Sequence, residues 1–455
     1  MRTLSLLFIL ASLGSWSAPG QAPRLLNVRD QQAVEETVAG KRSLANAAWW
    51  GFNREDSTEA LQAAINSGAK TLTIPFMGEP WIVRPLQLRG ELEIILDPGV
   101  LILAKKGEFQ GGGDSLFTAV GQSNLVIRGY GATLRMHKRD YQNPPYTKAE
   151  WRMGIALRGC RHVLIEGLRV ESTGGDGFYV DGGGDTGWSE DITIRNCTAY
   201  DNHRQGLSVI SVVNLLVENC LFANTWGTAP EAGIDLEPDI EKNRLVNCVI
   251  RNCTFENNNG NEILVYLKPL TTNSEPVSIR FEHCWVRMTE ARLKPTEPGP
   301  GINGVAGIAV GEVKDNGPKG LIEFIDCVTE NTGKEGARVY DKSATSARVR
   351  FANCSFRNPW TSPALGDGGP RVPIILHLRR PESTENMGGI DFQDCYVYDS
   401  AVRPAVRLEE DKGDFGLRDV HGQIMVTGPG TPCLKLGTKL QDVDLKVLRA
   451  TEPSR

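Results

Sequence analysis

Asp235, Glu237 and Asp239 place three carboxylates at alternate positions, a spacing that can do chemistry. On an extended strand, side chains at i, i+2 and i+4 share one face at intervals of about 6.6 Å. Negative charge crowded in this way raises the pKa of one group and leaves its neighbours ionised, the division that general acid–base catalysis uses. Asp235 and Glu237 are therefore the candidate catalytic pair. The same three side chains would also suit a bound Ca²⁺, or form no more than a solvated acidic face, and these readings stand open beside the first.

The elements that must hold these residues are written as a repeat. Leu164-Ile-Glu-Gly-Leu-Arg-Val leads to Gly177-Phe-Tyr-Val, and Ile192-Thr-Ile-Arg-Asn-Cys197 leads to Gly206-Leu-Ser-Val. Leu215-Leu-Val-Glu-Asn-Cys220 leads to Gly233-Ile-Asp-Leu, and Val249-Ile-Arg-Asn-Cys253 to Glu262-Ile-Leu-Val. Each copy is an alternating strand, a small-residue or Asn corner, and a second alternating strand, without helical period. Such a repeat predicts an all-β solenoid of stacked coils. Aligning Gly177, Gly206, Gly233, Glu262 and Gly307 turns Phe178, Leu207, Ile234, Ile263 and Ile308 inward, and Tyr179, Ser208, Asp235, Leu264 and Ala309 outward. Coils about 4.8 Å apart then merge distant residues into one patch.

Around the carboxylates this patch gathers His203 and Arg204 one coil earlier and Tyr266 and Lys268 one coil later. They are candidate substrate-binding residues, together with Tyr179 and Asp176. Arg204 also reads as a plain ion-pair partner of Asp235 or Glu231, and Asp176, in Gly174-Gly-Asp-Gly177, as a turn residue or an acid at the edge of a cleft. Lys268 or Arg204 would be the base for abstracting a proton beside a carboxylate; a surface lysine and tyrosine are the plainer alternative. Trp188, Trp226 and Tyr340 are candidate ring platforms, and His377 and Arg379 would widen the cleft.

Composition sets outer limits. A net charge of −5, with no block of Lys and Arg, excludes a phosphate-backbone reader, so no nucleic-acid partner is expected. Met1-Arg-Thr followed by the apolar Leu4–Gly14 and small residues up to Ala22 reads as a secretory signal cleaved near Ala22; it is too short to span a bilayer. A secreted or periplasmic location follows, with no membrane span. Residues 23–55 read as an extended lead-in, 56–448 as a single solenoid domain with loop insertions, and 449–455 as a tail. Within the domain, Asp56–Gly68 has the spacing of a short amphipathic helix that caps the first coil. The polar and aromatic stretch 136–152 is too long for a turn and suits a functional insertion. Seven cysteines, Cys197, Cys220, Cys253, Cys284, Cys327, Cys354 and Cys395, share one slot after Asn, Asp or His. Stacked slots give parallel Cβ vectors, poor geometry for disulfides, so a ladder of buried free thiols is favoured over bridges.

The entry Asp56-Ser-Thr-Glu-Ala-Leu-Gln-Ala-Ala-Ile, the following Leu72-Thr-Ile-Pro, the Ile-x-Asn-Cys coils and Gly174-Gly-Asp-Gly177 resemble the pectin-lyase-like superfamily of right-handed parallel β-helices over most of the chain. The resemblance implies that fold and a polysaccharide or oligosaccharide partner. It carries over no catalytic residue, because neither the adjacent aspartates, Gly-His-Gly and Arg-Ile-Lys of polygalacturonases nor the Asp-Pro-His of the epimerases is present. With that substrate class, the first expectation is a glycoside hydrolase using Asp235 and Glu237, with no cofactor required. The second is a polysaccharide lyase with Ca²⁺ at Asp235, Glu237 and Asp239. A non-catalytic glycan-binding or structural β-helix is the third.

Overall fold

The computed structural model describes residues 29–183, 187–289, 306–359, 372–379, 384–410 and 413–450. The leader proposed for residues 1–22, much of the loops 287–305 and 357–372, and most of the tail 449–455 lie outside the described residues. Short strands pair in parallel from one coil to the next. Phe178–Asp181, Gln205–Val209, Ala232–Leu236, Ile263–Tyr266 and Ile308–Val313 are successive rungs of a 12-stranded sheet. The remaining strands of each coil build a second, 24-stranded sheet that wraps the other side of the core.

The rungs keep the register set by the alternation. Phe178, Leu207, Ile234, Ile263 and Ile308 align and belong to one continuous apolar core. Tyr179, Ser208, Asp235, Leu264 and Ala309 align on the opposite face. Inside, like stacks on like: Phe281, Phe324, Phe351 and Phe392 form a column with ring centroids 5.1, 4.9 and 5.1 Å apart, close to one coil rise.

The residue before each ladder cysteine turns the chain. Asn196, Asn219, Asn252, His283, Asp326, Asn353 and Asp394 all have φ between 49° and 54°–55°, the left-handed region that Asn and Asp tolerate best. The cysteine that follows tucks into the core, and its thiol faces backbone carbonyls of its own coil and the one below, as Cys253 does toward Arg251 and Val217. All ten cysteines are free.

The first coil is covered by the helix Thr58–Ile65, which buries Leu61, Ala64 and Ile65 completely. Its start is held by the side chain of Asp56, which accepts from the Thr58 amide at 3.0 Å, and not by Ser57, whose side chain makes no capping bond. Arg84 and Lys105 pair with Asp56 at 3.1 and 2.9 Å. Burial opposes ionisation of this carboxyl, but hydrogen bonds from Thr58 and Lys105 prevail and hold its pKa down at about 2. The lead-in is not extended. Gln31–Val38 is a helix capped by Asp30, and Leu44–Asn46 pairs in parallel with Thr71–Thr73, so the solenoid starts before residue 56. That helix buries only Ala33 and Thr37 and leaves little apolar period to read. None of the described helices is long and apolar enough to cross a membrane.

Candidate active site

The insertion 136–152 lies over the outer face of the 12-stranded sheet. Arg152 is fully buried and anchors it, donating to the carbonyls of Phe109, Gln110 and Thr147 at 2.7, 3.2 and 2.6 Å. Gly175 passes directly beneath: a Cβ there would lie 2.6 Å from the Glu150 carbonyl. This close approach explains the glycine-rich run at 174–177 and seats Asp176 under cover.

Asp176 and Asp235 are both fully buried on the outward side of the coils. They are joined by a row of contacts. Ser208 Oγ lies 2.7 Å from Asp176 Oδ2 and 2.7 Å from Gln205 Oε1, and Gln205 Nε2 donates to Asp235 Oδ2 at 2.9 Å. No donor reaches Oδ1 of either aspartate. Arg204 supplies the counter-charge: its Nη1 is 3.7 Å from Asp176, its Nη2 3.3 Å from Glu237, and its Nε 3.9 Å from Glu150 of the insertion.

Desolvation pushes the Asp176 carboxyl up to about 6, against the pull of Arg204 and Ser208. Desolvation, followed by the charge of Glu237, raises Asp235 well above the carboxylate range despite Arg204. Burial works against the charge on Arg204, but Asp176, Asp235, Glu237 and Glu150 outweigh it and hold the guanidinium above its ordinary pKa. The arrangement therefore brings together two buried carboxyls whose pKa is raised, the partly exposed side chain of Glu237 and a permanent cation.

The sequence-derived candidates divide between this cluster and other places. Asp235, Glu237, Arg204 and Asp176 come together, and Asp176 is a buried acid, not a plain turn residue. The carboxyls of Asp235 and Glu237 approach within hydrogen-bonding reach, much closer than their strand spacing implies. Asp239 lies in the turn beyond the strand end at Leu236, where its amide donates to Asn243 Oδ1; burial and then the charges of Asp181 and Glu237 raise its pKa, against Arg204 and Arg158. Among the described residues, only Asp419, His421 and Asp442 bring three ligand atoms within 4.8 Å of one another, so Asp235, Glu237 and Asp239 do not converge as a Ca²⁺ ligand set. Arg204 is directed at Glu237 instead.

His203 turns into a corner beneath residues 225–228. Desolvation and then Lys138 lower its pKa to about 4, and Thr228 bonds its carbonyl. Tyr266 and Lys268 serve Glu312, with the phenol donating at 2.7 Å and the ammonium at 3.0 Å. Arg379 lies 3.0 Å from Asp341 and 3.8 Å from the same Glu312. Tyr179 is buried under Arg158, whose guanidinium stands 4.7 Å from its ring. Trp188, Trp226 and Tyr340 also receive cations of the protein, from Arg244, Lys138 and Arg379. His377 aligns with Tyr340 farther along the sheet.

Gln205, Ser208, Glu150 and Glu312 were not singled out by the sequence. Ser208 carried a signal, as the register mate of Asp235 on the outer face. Glu150 had only its place in the insertion.

Residues 146–291 match the family described as right handed beta helix region. The A-module of mannuronan C-5 epimerase AlgE6 from Azotobacter vinelandii superposes with a TM-score of 0.63 at 16% identity, covering 90% of this chain and 100% of that one. A family 28 exopolygalacturonase from Yersinia enterocolitica gives 0.55 at 12% identity over 88% of this chain and 78% of its own. The uncharacterised protein YclG of Bacillus subtilis is 29% identical over 247 residues, 47% of this chain and 42% of YclG. The chain spans less than half the length of the curated relatives it matches. The chain folds as a right-handed parallel β-helix.

Proposed function

We propose that the protein hydrolyses glycosidic bonds in a polysaccharide lying along the outer face of the 12-stranded sheet. One observation carries this reading: Asp235 is fully buried on the outward face beside Glu237 and Arg204, and its burial together with the charge of Glu237 raises its pKa. The two carboxyls lie too close to flank a water from opposite sides, so they would act as one acid. Asp235 passes its proton through the Glu237 carboxyl, which water can reach, to the departing glycosidic oxygen, and the pair takes a proton back from the attacking water. Arg204 holds Glu237 in place through their 3.3 Å contact. That similar folds carry an exopolygalacturonase and a mannuronan epimerase supports a carbohydrate substrate.

Hydrolysis is favoured over β-elimination because the cations available for the lyase base are committed. Arg204 lies among Asp176, Glu237 and Glu150, and Lys268 is paired with Glu312. The surplus of carboxylates also repels a uronate at the cleavage point, so neutral or amino sugars suit it better. Incubation with a panel of neutral, amino-sugar and uronate polysaccharides tests this. New reducing ends without unsaturated, ultraviolet-absorbing products are expected. Unsaturated products would replace hydrolysis with elimination, and no cleavage across the panel would favour a binding role.

A further inference from the structure

We propose that Asp176 and Asp235 share a single proton through a relay formed by Ser208 and Gln205. The row Asp176 Oδ2, Ser208 Oγ, Gln205 amide, Asp235 Oδ2 has three contacts of 2.7, 2.7 and 2.9 Å, each needing one hydrogen. Ser208 brings one hydrogen, and the Gln205 amide can turn only one N–H along the row. The third must come from a carboxyl.

Two arrangements satisfy all three contacts. In one, Asp176 is protonated and donates to Ser208, Ser208 donates to Gln205 Oε1, and Gln205 Nε2 donates to an ionised Asp235. In the other, Asp235 is protonated and donates to Gln205 Oε1, the turned amide donates to Ser208, and Ser208 donates to an ionised Asp176. The atoms and the proton count are the same. They differ in which carboxyl holds the proton and which way the amide faces.

With no carboxyl proton one contact sets two acceptors against each other, and with one on each Oδ2 the row has a surplus donor. Both errors would be buried, where an unpaired polar group is most costly. The charged and titratable groups facing the pair are Arg204, just before the rung Gln205–Val209, Glu237, just after Asp235's own rung, Glu150 from the insertion, and Tyr179. Arg204 touches Ser208 only at 3.5 Å and Asp176 at 3.7 Å, so it does not replace the proton in the row.

The inference deepens the hydrolytic reading and rests on it for its purpose. When the shared proton rests on Asp176 the row delivers it to Asp235 for the leaving group, the pair is recharged by the proton taken from the attacking water, and Ser208 and Gln205 act as positioning residues. The proton count itself requires no turnover, so its test stands apart from any failure to find a substrate.

The test is a titration of the full chain with ¹³Cγ-labelled aspartate, the two signals being assigned with Asp176→Asn and Asp235→Asn. At neutral pH one signal is expected to be a protonated carboxyl and the other ionised. In Asp235→Asn the asparagine amide supplies the missing donor, so the Asp176 midpoint falls by about one unit or more. Ser208→Ala, and independently Gln205→Met, sever the row, and in either background Asp235→Asn then moves Asp176 by less than half as much. Simple through-space repulsion would survive both variants undiminished, and that result overturns the relay. Finding both wild-type carboxyls ionised, or both protonated, at neutral pH overturns it without any variant.

Discussion

Arg204 Nη2 lies 3.3 Å from Glu237 Oε2, and this contact directs the guanidinium that lies among Asp176, Asp235 and Glu237 toward the side chain that water can reach. Arg204 is itself only 15% exposed in its side chain. Removing it strands buried negative charge. Arg204→Met is expected to destabilise the fold at neutral pH by about 3–5 kcal/mol, measured by urea unfolding. The loss should shrink once the pH is taken below about 6, where Asp176 becomes neutral.

Asp176 sets a pH dependence whose sign runs opposite to that of an ion-paired carboxylate. Its folded pKa of about 6 lies above the ordinary value of 3.8, so between those values the folded state holds more protons than the unfolded state. Stability from this group is therefore full at low pH and is lost as pH rises through about 6. Asp176→Asn removes the penalty and should stabilise the protein at neutral pH by up to about 3 kcal/mol. Urea unfolding of both proteins across the acidic range should show the two curves converging below the ordinary aspartate pKa. A constant difference at every pH would refute the assignment.

The corners give a test of the solenoid itself. Asn219 turns the chain with φ of 55°, so Asn219→Ala should cost about 1–2 kcal/mol through left-handed strain, while Asn219→Gly should cost less. Equal losses in chemical unfolding would mean that the Asn side chain, and not its backbone, holds the corner.

The thiols should be inert in the folded protein. Nine of the ten cysteines are buried and Cys433 is partly exposed, so a thiol reagent is expected to label at most Cys433 in the native state and all ten after denaturation without reductant. Fewer than ten on denaturation would reveal bridges.

Much of this fold was legible because the core has a period. Phe178, Leu207, Ile234, Ile263 and Ile308 repeat with the coil, and their alternation placed Asp235 on the outward face. What the alternation could not carry was burial. Asp235 and Asp176 are covered by neighbours and by an insertion whose path depends on Arg152 reaching the carbonyls of Phe109 and Gln110, far back in the chain. Nor could it say where a strand stops: Glu237 and Asp239 both lie beyond the strand end at Leu236. Tyr266 and Lys268 were legible as outward residues but their contacts with Glu312 were not, since Glu312 sits at a left-handed kink, with φ of 49°, that breaks the simple two-residue count.

The central claim is that Asp235 is the proton donor of a glycan-cleaving site. The most direct measurement compares reducing-end release by wild type and Asp235→Asn across the polysaccharide panel, with urea unfolding confirming that the variant is folded. The expected result is release by the wild type, with a loss of about 100-fold or more in the variant, and a variant at least as stable as the wild type because a buried acid has become a neutral amide. Release at equal rates by both proteins, or by neither on any polysaccharide, would contradict it.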